Sequence, residues 1–130
     1  MIRYMLDTNS CIAIMKKRPT SMQARLIQLS VGEVGISAIV AAELWYGVSC
    51  SEKKRQNEAA LREFLDYVTV QDWPQAASPA YGQLHSALRA IGGMDLLIAA
   101  HALFLGVVLV TDNTREFKKV PGLKIENWLD

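Results

Sequence analysis

The sequence predicts an α/β domain, with a central parallel sheet of about five strands and helices on both faces. Three observations lead there. Short strand-like runs alternate with longer helical ones along the chain. Two of the short runs, residues 2–6 and 107–110, are strongly apolar, and each stops at an acid with an asparagine close behind, in Asp7-Thr8-Asn9 and Asp112-Asn113. Finally, 130 residues, 51% of them hydrophobic, suffice for one domain with a real core and are too few for two, so a single domain over residues 1–130 is expected.

In the first run Ile2, Tyr4 and Leu6 alternate with Arg3 and Met5, the period of a strand. Asp7-Thr8-Asn9 then stops the strand and can cap a helix starting near Ser10. Ile12, Ile14 and Met15 make residues 10–17 a short helix that Pro19 terminates, and residues 20–30 a second, with Met22, Leu26 and Leu29 on one face. The two resemble a helical hairpin. Residues 34–37 read as a strand, and residues 38–49 as a helix apolar nearly all round, with Glu43 its only charge. Residues 52–66 form a charged amphipathic helix, with Ala59, Leu61, Phe64 and Leu65 expected to face inward. A third strand at 67–70, a turn at Asp72-Trp73-Pro74 and a helix over 76–90 follow. The stretch Ile91-Gly92-Gly93-Met94-Asp95 breaks that helix and opens another over 95–105, again apolar with one acid at its start. Residues 107–110, bounded by Gly106, read as a fully buried central strand, and residues 124–128 as a short last one.

The net charge of +1 excludes a polycation. Basic residues nevertheless cluster at Lys16-Lys17-Arg18, at Lys53-Lys54-Arg55 and from Arg115 to Lys119, where they can hold phosphate or simply face solvent. No apolar run approaches the roughly 20 residues needed to span a bilayer, and no signal-peptide pattern opens the chain, so a cytoplasmic protein without a membrane association is expected. Cys11 and Cys50 lie in apolar helical patterns and read as buried thiols. His85 and His101 lack the spacing of zinc ligands and read as packed or surface residues.

The informative residues are the acids. In open α/β sheets ligands bind outside the carboxyl ends of the strands, where Asp7 and Asp112 fall. Ionised carboxylates are rarely left in apolar surroundings without a partner, so Glu43 faces either an exposed window or a site. Asp95 opens an apolar helix, a place that capping and the helix dipole alone also favour, and capping can account for part of the Asn113 to Glu116 spacing too. Right-handed crossovers would bring Asp7 and Asp112 to one edge, and Glu43 and Asp95 can swing to it. Such a cluster repels itself: each like-charged pair about 4 Å apart costs roughly 4 kcal/mol at an effective dielectric near 20. A divalent cation relieves this, and oxygen-only ligation favours magnesium or manganese over zinc. Carboxylate-bound metal can lower the pKa of a water and offset charge on a phosphodiester, which points to nucleic-acid hydrolysis. No P-loop, nucleophile elbow or dinucleotide fingerprint competes.

Four segments in order carry a more specific signal. They are Leu6-Asp7-Thr8-Asn9; Ser37 to Gly47, containing Ala41-Ala42-Glu43-Leu44-Trp45-Tyr46; Ile91-Gly92-Gly93-Met94-Asp95 running on to His101-Ala102; and Val110-Thr111-Asp112-Asn113 running on to Glu116-Phe117, closed by Val120-Pro121-Gly122 and Glu126-Asn127-Trp128. Together they resemble PIN-domain toxins of the VapC type over essentially the whole chain. The resemblance implies a magnesium-dependent endoribonuclease, with manganese a plausible substitute, that is the toxin of a bacterial toxin–antitoxin pair, dimeric and neutralised by a VapB-type antitoxin. Relatives with such motifs often cut structured RNA such as tRNA. By position it makes Asp7 and Asp95 the principal metal ligands, has Glu43 and Asp112 complete the acidic catalytic site, and makes Thr8, Asn9, Thr111 and Asn113 candidates to support them. One departure stands out. The family usually places a longer polar loop with a Gly-x-Pro segment before its Ile-Gly, whereas here Arg89-Ala90 runs straight into Ile91; either the loop is short or part of it is missing from the sequence.

Two other classes of function compete with this reading. A catalytically idle module could use the same fold to hold RNA or a partner, against which the presence of all the acids argues. A phosphatase with an aspartyl nucleophile ranks last, because Asp7-Thr8-Asn9 lacks the second acid needed two residues on. A metal-activated water needs no 2′-hydroxyl, so the chemistry alone admits DNA as well as RNA.

Overall fold

A computed structural model describes residues 1–129; Asp130, the last residue of the expected domain, lies outside them. The strands are β1 (Tyr4–Leu6), β2 (Val34–Ser37), β3 (Thr69–Gln71), β4 (Val108–Val110) and β5 (Ile125–Glu126). They form one parallel sheet in the order β3-β2-β1-β4-β5. The helices are α1 (Thr8–Lys16), α2 (Thr20–Gln28), α3 (Ala38–Cys50), α4 (Lys54–Leu65), α5 (Ser78–Ala87), α6 (Gly93–Leu105) and α7 (Thr114–Phe117). The α/β class and the five-stranded parallel sheet expected from the sequence are observed.

The alternation expected in β1 is not. Met5 and Leu6 are both fully buried, because the strand has neighbours on both sides and helices over both faces. A central strand of a parallel sheet has no wet face. Leu109, Val110 and Ile36 extend this core along the sheet; Leu96 and Ile98 of α6, Leu61 and Phe64 of α4 and Phe117 of α7 close it. Trp128 seals the far edge, its ring packed edge-on to Tyr4 at 5.4 Å. Gly35 marks a close approach in β2, since a Cβ there would stand 2.8 Å from the Thr69 carbonyl and 2.9 Å from Ile2. Gly106 adopts a left-handed φ of 69° to end α6 and turn the chain into β4.

Several boundaries move for identifiable reasons. The helix expected near Ser10 begins at Thr8 because Asp7 itself caps it. β3 starts at Thr69, not 67, since Tyr67 N still donates to Phe64 O at the end of α4. The helix expected over 76–90 is shorter, with a 3-10 turn (Gln75–Ala77) leading into α5. Residues 88–92 connect α5 to α6. Ala59 is exposed, unlike Leu61 and Phe64. Cys11 is buried as expected, whereas Cys50 is exposed at the last turn of α3. That helix buries only Val40 and Leu44 and leaves Tyr46 72% exposed, so its all-round apolar character is not consumed by the core.

Candidate active site

The strand order fixes where a site can form. From β1 the chain adds β2 and β3 on one side, then returns to lay β4 and β5 on the other. The reversal leaves a crevice beyond the carboxyl ends of β1 and β4, which pair with Leu6 opposite Val110. Asp7 leaves β1 at this edge, and Thr111-Asp112-Asn113 leave β4 beside it, with Asp7 N donating to Val110 O at 3.0 Å.

Asp7 is only 5% exposed. Its carboxylate accepts from Ser10 N at 2.8 Å and so caps α1, while the Ser10 hydroxyl donates to Val110 O at 3.1 Å. Burial pushes the Asp7 carboxyl above its usual value; hydrogen bonds from Thr111 and Ser10 oppose the rise, and the charge of Asp112 adds to it. Thr111 is itself buried, and its hydroxyl oxygen accepts from Asn113 N at 3.0 Å. Of the expected supporting residues, Thr111 thus serves Asp7 directly, and Asn113 holds Thr111 through its backbone. Thr8 supports a different acid, donating to Glu43 Oε1 at 2.8 Å and tying α1 to α3. Asn9 is exposed and lies with Asp112, Ser10 and Asn127 along a small cleft.

Asp95 sits in the first turn of α6, whose cap position is taken by Gly92 with no side-chain capping bond. Burial raises the Asp95 carboxyl above its usual value, and the charges of Asp7, Glu43 and Glu116 raise it further. Asp7, Glu43 and Glu116 are thus near enough to act on Asp95 through their charges. Asp112 is exposed and acts on Asp7 from the outer side.

Glu116 is the residue that the sequence reading passed over. Its place in the first turn of α7 suits a local cap, yet the Asn113 side chain makes no capping bond, and the Glu116 charge acts on Asp95. Its only ion pair among the described residues is a long one to Lys119, at 3.9 Å. The helix dipole alone favours an acid there, so the sequence pattern does not set Glu116 apart. Ser10 was passed over for a plainer reason, since a small polar residue in a first helical turn is unremarkable until its burial is known.

No residue among Asp7, Glu43, Asp95 and Asp112 takes part in an ion pair among the described residues. Nor do any three His, Cys, Asp or Glu side chains among them close to a ready-made metal cage. Burial first, and neighbouring negative charge second, favour the protonated forms of Asp7 and Asp95. The donor set is all oxygen, and Asp7 and Asp95 carry raised pKa values that a cation would reverse, so the residues fit a hard divalent ion drawn in between them.

Comparisons with known proteins show the family. The sequence profile of the PIN domain matches residues 4–123. The chain is 44% identical to Ribonuclease VapC2 of Rickettsia felis, over 96% of this chain and 97% of that one. It is 39% identical to a tRNA(fMet)-specific endonuclease VapC of Shigella flexneri, over 98% and 99%. Among solved structures it is similar to VapBC2 from Rickettsia felis bound to a promoter DNA fragment, with TM-score 0.89, 43% identity and coverage of 98% and 99%. A DNA-bound VapBC from Salmonella typhimurium gives TM-score 0.90 at 36% identity, with the same coverage.

Proposed function

The chain belongs to the PIN-domain family, among its VapC ribonucleases, and from that premise we propose that it is a magnesium-dependent endoribonuclease that cuts structured RNA such as tRNA, as the toxin of a VapBC pair. One observation carries the chemistry: at the crevice beyond β1 and β4 the Asp7 and Asp95 carboxyls are both raised by burial, and Asp95 further by the charges of Asp7, Glu43 and Glu116. Asp7 and Asp95 would be the chief holders of Mg2+, with Mn2+ able to replace it, and Glu43 and Asp112 would complete the acidic set. When bound, such an ion supplies an acidified water and offsets charge on the scissile phosphate.

The chain's own residues do the rest. Ser10 N holds the Asp7 carboxylate at the start of α1, with Thr111 beside it. Thr8 occupies one oxygen of Glu43 and leaves the other free to take a proton from an attacking water. Glu116, half-buried, adds a further carboxylate near Asp95. Arg115, Lys118 and Lys119, on and just after α7, give the RNA backbone a basic flank next to the acids.

Among the described residues no helix is long and apolar enough to cross a membrane. We place the toxin in the bacterial cytoplasm, where its RNA substrate and its antitoxin are. Tyr46 of α3 and Phe104 of α6, 72% and 50% exposed, support an apolar interface with a second copy. The solved neighbours are VapBC complexes, which supports a VapB-type antitoxin as the other partner. Sequencing RNA ends after brief expression in cells tests the assignment. Defined new 5′ ends in one RNA class, absent with Asp7→Asn, are expected; a pool of RNA ends unchanged by the active protein contradicts it.

A further inference from the structure

His101 is completely buried in α6, and nothing in the chemistry above uses it. Its Nδ1 lies 2.8 Å from the Ser37 hydroxyl. The same hydroxyl oxygen accepts from Ile39 N at 3.1 Å and so caps α3. With that lone pair engaged, the arrangement that leaves fewest groups unmet has the Ser37 O–H donating to Nδ1 and the ring proton on Nε2. Nε2 then has no partner among the described residues, and the Trp73 ring stands nearly perpendicular to the imidazole at 5.5 Å. Burial lowers the pKa of the ring and keeps it in the neutral form, the form that can accept at Nδ1. A half-satisfied imidazole is a costly residue to keep in a core where Leu or Phe would fill the volume.

The position of this bond suggests what it does. Ser37, the last residue of β2 and the cap of α3, bonds His101 near the middle of α6, and Glu43 further along α3 acts by its charge on Asp95 at the start of α6, so the two contacts run in opposite order along helices that pack against each other. In each segment the two residues are six positions apart, about 9 Å of helical rise. A slip of one helix along the other would therefore move Glu43 past Asp95 by the whole length of the slip. We propose that His101 is a positioning residue: its hydrogen bond to Ser37 locks the register of α6 against α3 and thereby sets the separation of Asp95 from Glu43. The inference rests on reading those acids as the cation-holding, RNA-cleaving site.

The test uses the whole chain, with Mn2+ alone as the calorimetric probe and, separately, kcat and KM for RNA cleavage. His101→Phe fills the volume without the bond, and His101→Asn returns an amide oxygen near the place of Nδ1. The Phe variant should bind Mn2+ about tenfold more weakly and lose about tenfold to a hundredfold in kcat with KM little changed, while the Asn variant recovers most of both. Ser37→Ala should reproduce the loss, and the double variant Ser37→Ala with His101→Phe should lose no more than either alone. A His101→Phe protein that melts lower yet binds Mn2+ as the wild type does overturns the proposal, as does a double variant whose losses multiply. Should His101→Phe not fold, Ser37→Ala decides: wild-type affinity for Mn2+ there is also contrary. Wild-type protein that binds no more Mn2+ than Asp7→Asn refutes the acidic site itself, and the register lock with it, which separates that failure from a lock that is wrong at an intact site.

Discussion

Replacing Asp7 by asparagine keeps the hydrogen bond that starts α1, since an amide oxygen can accept from Ser10 N as the carboxylate does, and removes the charge that burial penalises. Asp7→Asn should thus abolish cleavage while raising the metal-free melting temperature by about 2–6 °C near neutral pH. The sign follows from the direction of the shift. An acid whose folded pKa is raised above 3.8 favours folding in its protonated form, so its contribution is present below that value and is lost as pH rises through the folded pKa. The gap between variant and wild type should open as pH rises from about 4 and close towards acid; a gap that is constant across that range would contradict the crowded-carboxylate account. Asp95→Asn should behave the same way, as its carboxyl is raised by burial and by Asp7, Glu43 and Glu116. Thr8→Val isolates the other acid, because it keeps the shape and removes the donor to Glu43 Oε1. It should lower kcat by about tenfold with the melting temperature within a few degrees, which a thermal melt run beside the cleavage assay would show. At this scale the sequence marks the acids, and the resemblance names Thr8 and Thr111 beside them, but not Ser10 or Glu116. Asp7, Glu43 and Asp95 were conspicuous as charges in apolar runs, whereas Ser10 and Glu116 matter through a burial and an orientation that only the fold supplies.

At the scale of elements, the strands that position the site are the most buried and were the easiest to read. Residues 107–110 were legible because a continuous apolar run fits only a strand covered on both faces, and Leu109 and Val110 are fully buried. Leu109→Ala should lower stability by about 2–5 kcal/mol, measured by urea unfolding, because the sheet on both sides prevents collapse of the cavity. An effect below about 1 kcal/mol would mean that β4 is not the packed centre described. The short edge elements were read less well for a related reason. β3 pairs only with β2 and exposes Thr69 and Val70, so its boundary depends on where α4 lets go of the chain at Tyr67 and not on an apolar pattern. The α3 pattern was read correctly as apolar all round, but periodicity cannot say which part faces the core and which part faces a partner.

At the scale of the molecule, the exposed apolar surface exceeds what a monomer needs. Tyr46, Met94 and Phe104, with the half-buried Trp45, lie on α3 and α6, the helices that deliver Glu43 and Asp95. Burying this surface between copies would brace both acids at once. Light scattering should therefore show a dimer at micromolar concentration, and Tyr46→Lys with Phe104→Lys should shift it to monomer with the fold retained. A wild-type protein that stays monomeric at every concentration, with or without antitoxin, would contradict the interface. Topology was legible from the strand, acid, asparagine pattern at Asp7 and again at Asp112, since two strands that end in the same chemistry on a parallel sheet share an edge. The need for a cation is legible as well, because acids that share one edge without a basic residue among them repel one another.

The central claim is that these carboxylates work only when a hard divalent cation joins them. The most direct measurement is cleavage of one RNA by the purified protein, titrated with magnesium at constant ionic strength, for wild type, Asp7→Asn and Asp95→Asn in parallel. The wild type should be silent in chelator and rise to a plateau with magnesium, regained with manganese, while both variants stay at the baseline at every concentration. Cleavage that persists undiminished in chelator, or that survives in both variants, would contradict the account.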